Sequence, residues 1–309
     1  LSKQHHISQY SKQWQGIGLA LIAVIIWAGN FIISRAVNQQ IGPFSLAFFR
    51  WATATLIMIP IAGKLFLAER KIIQKHLSYL FFVSLTGITM FNTFVYVAGH
   101  YTSAINMALI GTTSSPIFAT ILAIIFLKEK LPLNRLVGMI ICIAGILLLI
   151  SNASWSRLLA FRFSIGDLWI LAGAMAFAVY NILVRKKPTT ISALSFLFII
   201  ILMGTLMLLP FYIGEQMYSS PIHFTGTLWL DILYLGLGTS VISFLCWNKA
   251  IGKLGAARTV LFGNLIPVIS TLEAVWFLGE KMTVIHIFSG VIVLLGLLIA
   301  NMQIKLSKK

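Results

Sequence analysis

Ten long runs of apolar residues alternate with short polar connectors along this 309-residue chain. The runs cover residues 16–34, 43–63, 77–98, 104–127, 133–151, 166–185, 190–213, 228–248, 257–278 and 283–302. Polar positions within them lack the 3.6-residue period that marks the wet face of a soluble helix. Each run approaches or exceeds the roughly 20 residues a helix needs to cross about 30 Å of hydrocarbon. The connectors hold the charges and turn formers: IGP at 41–43, KEKLP at 128–132, RKKP at 185–188 and GEK at 279–281. A chain in lipid must satisfy its own backbone hydrogen bonds, so the pattern predicts ten membrane helices in an all-α, polytopic protein.

The pattern occurs twice. Shifting residues 112–151 by 151 positions matches Pro116, Thr120, Ala123, Phe126, Leu127, Glu129, Lys130 and Gly145 with identical residues. Their partners are Pro267, Thr271, Ala274, Phe277, Leu278, Glu280, Lys281 and Gly296. Residues 16–35 align without a gap on 166–185, and Gly87 falls on Gly238. A repeat of this length sets the domain organisation. It divides the chain into an N-terminal tail at 1–15, a five-helix unit at 16–151, a connecting loop at 152–165, a second five-helix unit at 166–302 and a basic tail at 303–309. Five is odd, so the second unit enters the membrane upside down relative to the first. Inverted repeats of this kind are the recurring architecture of alternating-access carriers, with the substrate site at the interface between the repeats.

Composition agrees. Hydrophobic residues make up 59% of the chain and charged residues only 10%, with a mean hydropathy of +0.95. That excess of apolar surface excludes a soluble globular class. The net charge of +16 would suggest nucleic acid on a soluble domain, but its distribution gives another cause. If the N-terminus is cytoplasmic, eighteen Lys and Arg side chains face inward and four, Arg35, Arg157, Arg162 and Lys281, face outward. The positive-inside rule then places both termini in the cytoplasm and the chain in the plasma membrane (the inner membrane of a bacterium) as a multi-pass protein. The basic loops meet anionic lipid, and no nucleic-acid partner is implied. Cys142 and Cys246 each lie inside an apolar run and read as small buried residues. No metal site and no cofactor motif is legible.

The chain resembles the drug/metabolite transporter superfamily, specifically its EamA-like ten-helix exporters. The resemblance is carried by Trp27-Ala28-Gly29-Asn30-Phe31, by Arg50 after Pro43, and by the paired signature. In the signature, Ser115-Pro116 leads to Leu127-Lys128-Glu129-Lys130 and Gly138, and Ile266-Pro267 leads to Leu278-Gly279-Glu280-Lys281 and Gly290. It implies a central pocket between the halves and movement of small metabolites, amino acids among them, usually outward. Two departures stand out: Ile200 occupies the position equivalent to Arg50, and Asn30 stands where small multidrug relatives carry a membrane glutamate.

Ionisable groups at membrane depth are costly enough to be functional candidates by default. Glu273 in the ninth run could bind an ammonium group or exchange a proton, or sit at the outer interface in reach of water. Arg50 in the second could hold a substrate carboxylate through its planar fork, or tie down helix ends. Uncharged polar and aromatic residues occupy matching positions in the two halves: Trp27 and Asn30 with Tyr180 and Asn181, Asn92 and Tyr96 with Ser243 and Trp247, Thr113 with Asn264. Singly each is better explained by interhelical packing. As a set at the repeat interface they predict a pocket with apolar walls and a few placed polar groups. Pro116 and Pro267 each remove a helix hydrogen bond and are expected hinges. Glu129–Lys130 and Glu280–Lys281 read as solvated helix ends or loop ion pairs, and Asp167 as favouring its helix start.

The reading that follows is a secondary transporter with a small-molecule substrate, protons as an optional coupling ion, and function as a monomer or homodimer. The alternatives are a non-transporting membrane scaffold and a membrane-embedded enzyme acting on a lipid-linked substrate. An enzyme would want paired catalytic groups, and no His-Glu-x-x-His helix, nucleophile elbow or carboxylate cluster is present.

Overall fold

The structure, a computed structural model, describes residues 2–37, 40–98, 101, 104–151, 153–159, 164–219, 221–278 and 282–302. Among them all regular structure is helical, in ten long stretches and one short helix, Trp155–Leu159. The long stretches are α1 (Ser2–Val37), α2 (Pro43–Lys75), α3 (77–98), α4 (Ala104–Leu127), α5 (Leu133–Ser151), α6 (Ile165–Arg185), α7 (Ala193–Gln216), α8 (Gly226–Leu254), α9 (256–278) and α10 (Val284–Asn301). Seven stretches among the described residues are long and apolar enough to cross a membrane, and Ser114–Leu127, Leu133–Leu149 and Ala256–Ser270 form shorter apolar helices.

Helix boundaries follow local chemistry. Pro43 opens α2, where its missing N–H is one of the unsatisfied donors anyway. Ser164 and Asp167 form a capping box at α6, with Ser164 N donating to Asp167 Oδ2 at 2.6 Å, so Asp167 does secure its helix start. Two helices outrun the apolar pattern. The helical conformation of α1 extends through the polar residues before Gly16. At 33 residues α2 spans about 50 Å, so its basic end beyond residue 63 must leave the hydrocarbon.

Three stretches depart from the α form in a way the apolar pattern does not reveal. A π-helical turn interrupts α3 at Leu85–Met90, and a longer one interrupts α8 at Tyr234–Ile242, the symmetry-related place. A 3-10 turn, Leu261–Leu265, breaks α9 just before Pro267.

The two halves interlock. Thr55 on α2 and Thr205 on α7 are 150 positions apart and hydrogen-bond to each other at 3.0 Å. Helices α5 and α10 meet through glycines: a Cβ on Gly296 would lie 2.7 Å from both the Gly138 carbonyl and the Cys142 sulfur. Small residues allow that backbone approach, where dispersion replaces the hydrophobic effect that lipid does not supply. Cys142 is the buried small residue the sequence implied, and Cys246 is half-buried. Around these two pairs, α1 packs on α8 and α9, while α6 packs on α3 and α4. Each of those groups joins elements that the sequence assigns to different halves. Leu56, Phe82, Ile125 and Leu298 are among the exposed side chains of the apolar outer surface.

Candidate functional site

Two adjoining clusters gather most of the predicted site residues where α1, α2, α6, α8 and α9 meet. The first is aromatic. The Trp27 ring lies 4.9 Å from Trp247, 5.5 Å from Phe244 and 6.2 Å from Phe177, centroid to centroid. Tyr180 stacks on Phe177 at 5.6 Å. The π turn of α3 brings Gly87 so close to the Tyr180 ring that any side chain there would overlap it. Every polar atom of the aromatic trio is used: Trp27 Nε1 donates to the Thr239 carbonyl at 2.9 Å, Trp247 Nε1 to Asn181 Oδ1 at 2.7 Å, and Tyr180 Oη to Asn248 Oδ1 at 2.6 Å. Buried indole and phenol groups need such partners. The result is a closed apolar partition with no polar atom left over on those three rings.

The second cluster is ionic. Arg50 is buried, with only 6% of its surface exposed. Its Nε donates to Ser240 Oγ at 2.7 Å and one terminal nitrogen to Asn30 Oδ1 at 3.3 Å, and the guanidinium carbon lies 4.9 Å from the Trp51 ring centroid. One residue away on α1, the absence of a side chain at Gly29 admits the Tyr234 hydroxyl, and the Glu273 carboxylate lies alongside. A Cβ on Gly29 would stand 3.5 Å from Glu273 Oε2 and would overlap the Tyr234 hydroxyl. Tyr234 Oη donates to the Ile26 carbonyl at 2.9 Å. Glu273 is half-buried, and its Oε2 has no hydrogen-bond partner among the described residues. Thus a guanidinium and a carboxylate stand against consecutive residues of one helix. Trp51 touches Phe244 at 5.2 Å, which joins the ionic cluster to the aromatic one.

Other predicted residues are placed elsewhere. Asn92 donates to the Ile88 carbonyl four residues back, and Ser243 to the Gly238 carbonyl five residues back, so each serves its own helix. Asn264 is fully buried in the 3-10 turn of α9, with its side chain beside Cys142. The side chains of Tyr96 and Thr113 lie outside the described residues, as do Glu280 and Lys281. Pro116 is buried inside a continuous α4. Pro267 is the second residue of the α segment that follows the 3-10 turn. Glu129 pairs with Arg135, in the first turn of α5, at 3.7 Å, rather than with Lys130. A cleft of about 640 Å³, none of whose lining residues belongs to either cluster, opens between the α1–α2 and α7–α8 connections, with Gln40, Gln216 and His223 in its wall.

Ser240, Thr239, Tyr234 and Asn248 complete the site and were not among the sequence candidates. The signal available was the polar run Gly238-Thr239-Ser240 within an apolar span. Its significance depends on the π turn that presents it.

Comparison with known proteins bears on what this arrangement serves. The profile of the EamA-like transporter family matches residues 14–151 and again residues 164–302. An uncharacterized transporter of Bacillus subtilis (strain 168), YyaM, is 28% identical over 299 residues, covering 94% of this chain and 95% of its own. A protein of Escherichia coli (strain K12) described as a probable amino-acid metabolite efflux pump is 22% identical, covering 91% of this chain and 93% of its own. A solved crystal structure superposes with a TM-score of 0.75 at 17% identity, covering 94% of this chain and 96% of that one, and shares the fold.

Proposed function

Because this chain belongs to the EamA-like transporter family, and is a multi-pass membrane transporter of small molecules, we propose that it carries zwitterionic metabolites, amino acids and close relatives, outward across the membrane. One observation supports this most directly: the buried Arg50 guanidinium and the Glu273 carboxylate stand against Asn30 and Gly29, consecutive residues of α1. An α-amino acid offers a carboxylate and an ammonium group on one carbon. Arg50 would take the first and Glu273 the second, with Trp27, Phe177, Phe244 and Trp247 forming the apolar wall. Charged groups brought out of water need such partners, and a site that supplies both signs discriminates against molecules bearing only one.

In this reading the units 16–151 and 166–302 are inverted repeats that alternate the opening of the site between the two faces, with Pro116 and Pro267 as flexure points. The outward direction rests on the efflux relative and on the family resemblance. Glu273 is also the group through which a proton gradient would act. The test is uptake of a radiolabelled amino-acid panel into proteoliposomes, with and without an imposed pH gradient. Saturable flux of one or a few amino acids supports the proposal, and absence of flux for every member sinks the substrate class.

A further inference from the structure

The element that shapes the ionic cluster is the π-helical turn of α8. In an α-helix residues three or four apart share a face. In the i→i+5 geometry of a π turn, residues five apart do. Tyr234 and Thr239 are five apart, and both reach α1: Tyr234 Oη bonds the Ile26 carbonyl, and the Thr239 carbonyl accepts from Trp27. The wide turn also leaves carbonyls to be satisfied by side chains, as Gly238 O is by Ser243 Oγ at 3.0 Å. Ser240 follows Thr239 in the same turn. It is fully buried, and its hydroxyl receives the Arg50 Nε–H at 2.7 Å, much shorter than the 3.3 Å bond from Arg50 to Asn30. Gly236 fits against the same helix at Arg50's own backbone, where a Cβ would lie 3.2 Å from the Arg50 carbonyl and 2.6 Å from Thr53.

We infer that Ser240, presented by the π turn, is a positioning residue for substrate recognition: it fixes the plane of the Arg50 guanidinium so that the fork meets a substrate carboxylate. The inference rests on the zwitterion reading above. A charge-assisted bond from Nε to a buried hydroxyl restricts rotation of the guanidinium about its stem. Asn30 and the Trp51 ring hold other parts of the guanidinium, and Ser240 is the partner at Nε. Ser240 therefore affects carboxylate recognition and leaves recognition of the ammonium group, at Glu273, untouched.

The experiment compares wild type, Ser240→Ala and Ser240→Thr in proteoliposomes. Uptake of the transported amino acid is measured together with competition by the corresponding amine, which lacks the carboxylate. For Ser240→Ala the expected result is a KM raised about tenfold for the amino acid, as for loss of one hydrogen bond to a charged group, with Vmax and the amine's inhibition constant unchanged. Ser240→Thr, which keeps the hydroxyl, restores KM. Equal loss for amino acid and amine, a loss confined to Vmax, or no change overturns the inference. If wild type carries no amino acid, the substrate reading has failed by itself. Ser240 is then judged by NMR of the arginine Nε–H groups: an exchange-protected Arg50 signal that disappears in Ser240→Ala and returns in Ser240→Thr sustains the positioning role, and an unchanged signal overturns it.

Discussion

The Glu215 carboxylate, in the last turn of α7, receives the Ser45 backbone N–H at 2.7 Å and the Ser45 hydroxyl at 2.6 Å in the first turn of α2. Glu215 also accepts from Phe44 N at 3.1 Å. The relationship is reciprocal. Glu69, near the end of α2, receives Ser192 N at 3.1 Å and Ser192 Oγ at 3.2 Å at the start of α7. Each helix thus ends in a carboxylate that closes the N-terminus of the other, where unpaired N–H groups and the helix dipole favour an anion. The Thr55–Thr205 bond ties the same pair between its ends.

Replacing Glu215 by Ala removes three of these bonds, and replacing Glu69 removes two. Glu215→Ala is expected to lower stability by about 1–2 kcal/mol, the scale of a lost helix cap. Glu69→Ala should cost less, because its bonds are fewer and longer. Thermal unfolding of both variants in detergent checks the order. A Glu69 variant less stable than the Glu215 variant would contradict this account of the pair.

Gly255, between α8 and α9, has φ of +89°, and a Cβ there would lie 2.8 Å from Glu129 Oε1. Gly255→Ala therefore suffers twice, from a backbone region that L-residues avoid and from the carboxylate. A cost of about 1–2 kcal/mol is expected from the backbone alone. Removing the carboxylate in Gly255→Ala/Glu129→Ala should recover only the steric share. Gly252, three residues earlier inside α8, meets nothing within 4 Å. Gly252→Ala should be neutral or stabilising, since alanine loses less backbone entropy in a helix. Denaturation of the four proteins side by side tests the distinction.

Much of this architecture was legible in the apolar runs and their repetition, because lipid leaves a chain few ways to satisfy its backbone. The π turns were not. LTGITM and YLGLGTSVI are as apolar as their α-helical flanks, and a one-residue change in hydrogen-bond register leaves no mark in hydropathy. The same gap explains the site residues. Asn92 and Ser243 looked equivalent to Asn30 and Asn181 because polarity in an apolar run is all that a sequence displays. In the structure Asn92 and Ser243 bond to carbonyls of their own helices, a local alternative open to any such side chain. Arg50 and Glu273 were recognisable from cost alone. That they meet neighbouring residues of α1 is a matter of helix packing, which polarity along the chain does not display.

Lys187, in the connection between α6 and α7, has its ammonium pKa lowered by burial, with Glu69 nearby acting in the opposite direction. Between the lowered value and the ordinary 10.5, the unfolded chain binds more protons than the folded one. Stability from this group accordingly rises with pH across that alkaline window and is flat below it. Lys187→Met should remove the rise. Unfolding measured over the alkaline range for both proteins is the check, and a wild-type stability that falls there while the variant is flat would reverse the sign.

Arg50 and Glu273 separate binding from coupling when they are altered in turn. Arg50→Lys keeps the charge but loses the planar fork and its Nε donor to Ser240, so a tenfold or greater rise in KM for amino-acid uptake is expected, by about the same reckoning as for one charged hydrogen bond or more. Glu273→Gln keeps the size and loses the charge and the proton site. If Glu273 only binds the ammonium group, this variant weakens both gradient-driven uptake and exchange of labelled for unlabelled substrate at equal pH. If Glu273 carries the coupling proton, uptake against a gradient is abolished while exchange continues, because exchange requires no net proton movement. The second pattern is expected if Oε2, buried and without a hydrogen-bond partner among the described residues, is a proton site, and exchange measured beside gradient-driven uptake distinguishes it from the first. A variant that performs both reactions at wild-type rates would leave Glu273 with neither role.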